Sequence, residues 1–346
     1  MDCFASLAMT MWSGEELPLH ILILGAAGMV GRKLAERLAR DGKLGKSEIS
    51  KMTLQDVVAP AKPAGASMPV DLVTADVSSQ PAVEKLVAAK PDVIFHLAAI
   101  VSGEAEADFD KGYRINLDGT RFLIDAIRAI GGGYKPRLVF TSSIAVFGAP
   151  FPEKIGDEFF TTPLTSYGTQ KAIGELLISD YSRKGLLDGV SIRLPTICVR
   201  PGTPNKAASG FFSNIIREPL AGKHAVLPVS EDVMHWHASP RSAVGFLLHA
   251  GTTDLNTIGP RRALSMPGLA ATVGEQIAAL DRVAGKNVTA RIKREPDKTI
   301  MGIVAGWPRN FVTDRALKLG FTTAEKTFDD IIRIHIEDEL GGKFVN

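Results

Sequence analysis

The sequence predicts an α/β fold, a doubly wound parallel sheet carrying a smaller C-terminal lobe. Three observations predict it. Apolar runs of strand length alternate with segments of helical periodicity through the N-terminal half. The first of these runs opens directly into Gly25-x-x-Gly28-x-x-Gly31. The length of 346 residues also exceeds the roughly 100–200 of a single typical domain, leaving room for an appended lobe.

His20 to Gly25 reads as a short buried strand ending in the glycine turn, after which Val30, Leu34 and Leu38 recur at helical spacing. A second strand spans Met52 to Val57. A Pro/Ala/Gly-rich connection from Ala59 to Pro69 leads to a β-like stretch over Val70 to Val73. Pro91 to Ala99 supplies a buried strand, Ile115 to Ile130 a long helix, and Pro136 to Ser143 the next strand, followed by a helix around Lys171. Gly189 to Pro195 is a further strand, and its proline stops it where loops at the sheet's carboxyl edge begin. Beyond it the pattern is irregular. Phe211 to Leu220 and Gly274 to Ala284 read as helices and Asn287 to Ile292 as a strand, while Asp314 to Leu319 and Phe328 to Leu340 are amphipathic helices that close the lobe.

Composition removes several classes of function. Hydrophobic residues make up 45% and charged residues 23%, and no run of 18 apolar residues calls for a membrane span. Forty basic against thirty-eight acidic residues leave a net charge of +2, so neither nucleic acid nor a membrane is an expected partner. Cys3 and Cys198 cannot build a disulfide framework, and no Cys/His spacing resembles a zinc site. No metal is expected, and a reducing, cytoplasmic setting fits. Met1 to Leu19 lack a basic leading region and contain Asp2, Glu15 and Glu16, unlike a secretory signal. They read as a disordered extension.

The glycine turn has the chemistry of a dinucleotide site. Gly25 permits a tight turn, Gly28 lets the backbone approach a pyrophosphate, and Gly31 lets helix and strand pack closely. Met29 and Val30 then open a helix whose N-terminus faces the phosphates. Asp56, ending the second strand, stands where an acid accepts hydrogen bonds from the adenosine ribose and repels a 2′-phosphate. NAD is therefore expected over NADP, although Arg32 and Lys33 argue the other way and Asp56 also suits a turn cap. Asp76 fits either the adenine amino group or the N-terminus of a helix beginning near Gln80.

Tyr167 and Lys171 lie four apart in a helical stretch and share one face. A tyrosine with a pKa of about 10 is a poor base at neutral pH, but a neighbouring cation favours its phenolate. The hydroxyl of Ser143 can hold a substrate oxygen. Many helices contain such a pair by chance, so its order after the glycine turn and the Thr141-Ser142-Ser143 strand end carries the argument.

In these motifs the chain resembles the extended short-chain dehydrogenase/reductase family, which includes nucleotide-sugar epimerases and dehydratases. The resemblance runs from His20 to about Leu340 and rests on Gly25-x-x-Gly28-x-x-Gly31, Asp76-Val77, His96-Leu97-Ala98-Ala99, Tyr113-Arg-Ile-Asn116, Thr141-Ser-Ser143, Tyr167-x-x-x-Lys171 and Arg193-Leu-Pro195-Thr196. It implies Ser143, Tyr167 and Lys171 as catalytic residues. It also implies cofactor contacts from Gly25, Gly28, Met29, Val30, Asp56, Asp76, Val77, Leu97, Ala98, Ala99, Asn116, Thr141, Tyr167, Lys171 and Pro195. The resulting division is an NAD-binding Rossmann core over 20–195 and a substrate-binding lobe over 196–346, some of whose segments return to the core. A homodimer is expected from the family alone.

Two segments depart from the epimerase pattern. An Arg-Tyr-Phe-Asn run is replaced by Arg193-Leu-Pro195-Thr196-Ile-Cys-Val-Arg200-Pro-Gly, and His-Val-x-Asp by His235-Trp236-His237-Ala-Ser239-Pro240-Arg241. Both are similar to the D-erythronate dehydrogenase branch, whose members oxidise a four-carbon sugar acid with NAD. Ser102, Ser143, Tyr167 and Arg241 are then the expected substrate contacts, with Arg241 as first candidate to clamp the carboxylate, since a planar guanidinium suits it. An ion pair with a helix acid is the alternative for Arg241. His235 and His237 either join the site or pack in the lobe. A nucleotide-sugar epimerase, dehydratase or decarboxylase with tightly held NAD remains open, with Arg217 and Lys223 facing a diphosphate. A non-catalytic cofactor-sensing module is the third class.

Overall fold

The computed structural model describes residues 17–202 and 208–346. Most of the expected N-terminal extension, residues 1–16, lies outside the described residues, and the first strand begins at Leu19.

Along the chain come β1 (Leu19–Leu24), α1 (Met29–Asp41), β2 (Lys43–Leu44), β3 (Ser47–Asp56), β4 (Val70–Thr74), α2 (Gln80–Ala88), β5 (Val93–His96), α3 (Ser102–Ala107) and α4 (Phe109–Gly112). A wide π turn over Tyr113–Asp118 leads into α5 (Gly119–Ile130), then β6 (Arg137–Ser143), α6 (Ser166–Arg183) and β7 (Asp188–Leu194). The second half contributes β8 (Thr196–Ile197), α7 (Gly210–Leu220), β9 (Ala225–Leu227), β10 (Met234–Ala238), α8 (Pro240–Thr252), β11 (Ala263–Ser265) and β12 (Leu269–Thr272). It ends with α9 (Val273–Ala284), α10 (Lys286–Thr289), β13 (Ile292–Arg294), α11 (Lys298–Ala305), α12 (Asp314–Lys318) and α13 (Phe328–Leu340).

The main sheet runs β11-β7-β6-β5-β1-β3, and β3 pairs in addition with β4 and with the short β2. Only β2 is antiparallel in it. From β1 the chain winds outward through β3 and β4, then crosses back to β5 on the other side. The crevice of such a sheet opens at that reversal, between the carboxyl ends of β1 and β5. Alternation within β1 explains the two covered faces. Ile21 and Ile23 pack with Leu34 and Leu38 of α1 and Phe246 and Leu247 of α8. Leu22 and Leu24 pack instead with Val83 and Val87 of α2, Leu123 and Ile127 of α5, and Ile178 of α6.

The second half builds a three-stranded sheet, β12-β10-β8, and a two-stranded one, β13-β9. Phe212, Ile216, Leu280, Ile331 and Ile332 form its own core. Two of its segments, α8 and β11, return to the main sheet.

Three local expectations differ. The helix predicted to start at Ile115 begins as the π turn and becomes α-helical only at Gly119. The strand predicted over Asn287 to Ile292 is the single helical turn α10 followed by β13, which opens at Ile292, opposite Ala225. Gly285, at φ 87°, lets the chain leave α9 and coil again at once. Strand β10 escapes a hydrophobicity reading because His235 and His237 occupy buried positions in it. Among the described residues, no helix is long and apolar enough to cross a membrane.

Burial pushes His96 and His235 down to about 3 and His335 to about 4, and lowers His237 as well. Unfolded, each titrates near 6.5. Between those values the unfolded chain binds protons that the native chain refuses, so stability is lost as pH falls below about 6.5. Each group contributes up to about 1.4 kcal/mol per pH unit in that window. Urea midpoints are expected to drop steeply between pH 7 and pH 5, less steeply in His335→Leu. A flat profile would contradict the neutral burial of these rings.

Candidate active site

The glycine turn after β1 is shaped by close contacts. Gly25 sits at φ 88°, and a Cβ there would lie 2.6 Å from the Ala98 backbone N, so only glycine fits against the chain leaving β5. A Cβ on Gly31 would meet the Gly25 carbonyl oxygen at 2.2 Å, which fixes how tightly α1 packs on the turn. Gly28 differs. A Cβ there would meet only the Gly25 oxygen, at 3.4 Å, and Gly28 caps α1 without a side-chain bond. The first turn of α1 carries no acid. Its unpaired N–H groups therefore form a cradle that fits a pyrophosphate. Asp56 holds this turn in place, its Oδ2 accepting from Ala27 N at 2.9 Å and its Oδ1 from Val57 N at 2.7 Å.

The other wall comes from the end of β6 and the start of α6. Thr165 caps α6 by accepting from Gly168 N at 3.0 Å. Gly168 and Gly174 let the helix lie close to β6, since added Cβ atoms would fall 2.1 Å from the Ala145 oxygen and 2.9 Å from the Phe140 ring. Glu175, one residue further, accepts from Ser142 Oγ at 2.5 Å and from Arg193 Nε and Nη2 at 2.9 and 2.7 Å. This buried pair ties α6 to both β6 and β7.

That closeness brings together Ser143, Tyr167 and Lys171, which all line one cleft. Ser143 Oγ accepts from Ala145 N at 3.1 Å and lines the cleft together with Tyr167. Lys171 Nζ donates to the Thr141 carbonyl at 2.8 Å and lies 4.7 Å from the Phe140 ring centroid. Burial drives Lys171 down to about 7, with Glu175 acting the other way. Burial also raises the Tyr167 phenol, against which the Ser143 hydrogen bond and the Arg200 charge both act. The sequence assigns that electrostatic role to Lys171. In the structure Lys171 Nζ lies 5.7 Å from the Tyr167 ring centroid, and the Arg200 charge also favours the phenolate.

Asn116 is buried behind the cleft. Its Oδ1 accepts from Ile100 N at 2.9 Å, and its Nδ2 donates to Gln170 Oε1 at 2.8 Å, so it braces the loop after β5 against α6. Its place in the π turn aims it there.

The cleft holds about 530 Å³ and is lined by Gly25, Gly28, Met29, Val30, Leu97, Ala99, Ser102, Thr141, Pro195 and further residues of both halves. Ala98, Asp56, Asp76, Val77 and Asn116 are not among its lining residues. Asp76 caps a turn, its Oδ1 accepting from Ser78 N at 2.8 Å, and Val77 is buried against Gly119. Among the described residues that line it, the only charged side chains are Lys171 and Arg200, and none is acidic. The lobe supplies Thr196, Arg200, Ser209, His235 and Trp307, with His235 Nε2 2.7 Å from Thr196 Oγ1. The sequence shows Arg200 only as part of the motif over 193–202, since nothing in the spacing reveals which way its side chain turns.

Arg241 is the correction. It belongs to α8, outside the cleft, and its Nη2 donates to Asp338 Oδ1 at 2.5 Å and Glu337 Oε2 at 3.1 Å on α13. Those two carboxylates consume its fork and hold it at the protein surface. Arg217 is likewise spent, on Glu218, Asn214 and the Arg200 carbonyl. A second groove of about 800 Å³ between α9 and the start of α13 carries Glu275, Arg282, Asp329 and Arg333. Its charges largely pair with each other, as in Arg282 with Asp329 at 2.5 Å, and no reactive set converges there.

The sequence pattern of the NAD dependent epimerase/dehydratase family matches residues 21–238. The chain belongs to that family. It is 45% identical to a D-erythronate dehydrogenase of Cupriavidus necator over 324 residues, covering 92% of this chain and 98% of that one. A D-erythronate dehydrogenase of Haemophilus influenzae is 40% identical, covering 93% and 100%. A crystal structure described as the nucleoside-diphosphate-sugar epimerase from Agrobacterium tumefaciens superposes with a TM-score of 0.92 at 66% identity, covering 94% of this chain and 96% of that one. Membership in the NAD dependent epimerase/dehydratase family implies NAD(H), and the cradle at Gly28 and the N-terminus of α1 fits its pyrophosphate.

In this epimerase/dehydratase family member the Glu175 carboxylate is the joint between α6 and the sheet. Glu175→Ala leaves Arg193 buried beside no counter-ion, an effect worth about 3–5 kcal/mol. Chemical denaturation is expected to show a loss of that size, with a smaller loss in Glu175→Gln. An unchanged midpoint in Glu175→Ala would rule out the joint.

Proposed function

We propose that this protein is an NAD-dependent dehydrogenase that oxidises a small sugar acid, D-erythronate to 2-dehydro-D-erythronate. The observation that carries the reading is a cleft whose only charged side chains among the described residues are cations, in a chain 45% and 40% identical over nearly its full length to two D-erythronate dehydrogenases. Bound NAD⁺ supplies the hydride acceptor. The Gly28 cradle and the N-terminal turn of α1 hold the pyrophosphate, and Asp56 favours the unphosphorylated adenosine ribose.

Tyr167 acts as general base, taking the proton of the C2 hydroxyl. Ser143 Oγ, already accepting from Ala145 N, has its single proton left to donate to the reacting oxygen or to the phenolate. Lys171, anchored on the Thr141 carbonyl, keeps the start of α6 in register with β6 and would hold the nicotinamide ribose of bound NAD. Arg200 contributes the charge that favours the phenolate. The protein acts as a homodimer in this reading.

A second reading, nucleotide-sugar epimerisation with recycled NAD, draws support from the description of the Agrobacterium structure at 66% identity. The two separate in one assay. A panel of four- to six-carbon sugar acids with NAD⁺, followed at the NADH absorbance, is expected to show net NADH formation with D-erythronate or a close aldonic acid. Silence across that panel alongside turnover of a UDP- or GDP-sugar would overturn the proposal.

Tyr167→Phe is expected to lower kcat by roughly 10²–10⁴-fold, the usual worth of a general base, with NADH affinity nearly intact by fluorescence titration. Full turnover in this variant would remove Tyr167 from the role. Because burial raises the phenol, kcat/KM for the wild type is expected to climb as pH rises above neutrality. A profile falling over that range would contradict a tyrosine base.

A further inference from the structure

Arg200 lines the cleft from the lobe side, and its charge reaches Tyr167 across it. Its side chain is fixed by two bonds, Nε to the Ile197 carbonyl at 3.1 Å and Nη2 to Ser209 Oγ at 3.0 Å. Its backbone is fixed as well. Arg200 N donates to Ser213 Oγ at 3.0 Å, and the Arg200 carbonyl accepts from Arg217 Nη1 at 2.7 Å. A guanidinium has five N–H donors, and those two bonds leave the rest of the fork uncommitted among the described residues.

Every acceptor given for this guanidinium is neutral. Burial lowers the Arg200 pKa, which marks a charge withdrawn from water. Among the described residues no carboxylate pairs with it, and the cleft lining contains none. A half-buried guanidinium with no counter-ion among the described residues offers its free donors to an anion. Three other arginines are already paired: Arg193 with Glu175, Arg217 with Glu218 and Arg241 with Asp338.

We infer that Arg200 is the substrate-carboxylate site of this cleft and selects acids over their neutral analogues. The inference rests on the sugar-acid reading above and adds the residue that reads the acid. Position supports it. Tyr167 and Ser143 sit on the core wall and Arg200 on the lobe wall, so one small molecule spans them with its hydroxyl at the first and its carboxylate at the second. A carboxylate suits one planar fork. A sugar diphosphate carries more charge over a longer span, and Arg217, the next cation, is already engaged and lies outside the cleft lining.

The test measures binding of D-erythronate, D-erythronamide and UDP to the NADH-loaded enzyme by calorimetry, with turnover recorded on the same samples. The wild type is expected to prefer the acid over the amide by roughly 30- to 1000-fold, the range for a buried hydrogen-bonded charge pair. Arg200→Gln is expected to abolish that preference with NADH affinity unchanged. Arg200→Lys, which keeps the charge but loses the planar fork, retains part of it. A purely structural role would weaken acid and amide alike and leave their ratio standing, so an unchanged ratio in either variant overturns the assignment. Tight UDP binding that depends on Arg200 would also overturn it, in favour of a diphosphate. If the wild type oxidises no sugar acid, the functional reading falls separately. Arg200 then stands if Arg200-dependent binding of D-erythronate persists, and falls if the acid does not bind.

Discussion

The candidate site depends on one constraint, the close seating of α6 on the end of β6. Gly168 and Gly174 make room for it, since side chains there would collide with the Ala145 carbonyl and the Phe140 ring. The Glu175 carboxylate, shared between Ser142 and Arg193, locks the seat. Everything reactive on that wall inherits its position from this joint. Lys171 reaches the Thr141 carbonyl only because the helix lies this close, and Tyr167 meets Ser143 for the same reason. A helix displaced by even one side-chain diameter would separate them.

Burial has opposite consequences for the two titratable members of that wall. Withdrawing Lys171 from water penalises its ammonium, whereas withdrawing Tyr167 penalises its phenolate. A lysine driven to about 7 is a weaker electrostatic partner than its spacing suggests. Besides Lys171, 5.7 Å from the Tyr167 ring centroid, the Arg200 charge also favours the phenolate. Core and lobe therefore share the chemistry. The core lines the cleft with Ser143, Tyr167 and Lys171, and the second half lines it with Arg200 and the His235–Thr196 pair.

The contrast between the relatives has a physical basis in the same cleft. A nucleotide-sugar enzyme and a sugar-acid dehydrogenase both need a base, a hydroxyl donor and a dinucleotide cradle. They differ in what must be held at the far end of the substrate. Among the described residues the cleft lining offers one guanidinium, that of Arg200, while Arg217 is already bonded to Glu218, Asn214 and the Arg200 carbonyl. Resemblance at the level of the whole fold is insensitive to that difference, because a few side chains on the lobe decide it.

Much of the core was legible from sequence because its signals are local. An apolar strand, a glycine turn and a helix are contiguous, so Gly25, Gly28 and Gly31 announce their roles within seven positions. The pair Tyr167 and Lys171 shares a helix face by simple periodicity. The lobe was less legible. Buried His235 and His237 disguise β10, and a π turn hides within an apolar helical pattern at Tyr113–Asp118. Arg200 and Arg241 look equivalent as letters, since each follows a short strand within a few residues, β8 and β10. Tertiary structure alone decided between them, because a guanidinium's availability depends on which carboxylates the fold brings near it. α13 brings Glu337 and Asp338 to Arg241, and among the described residues no element brings a carboxylate to Arg200.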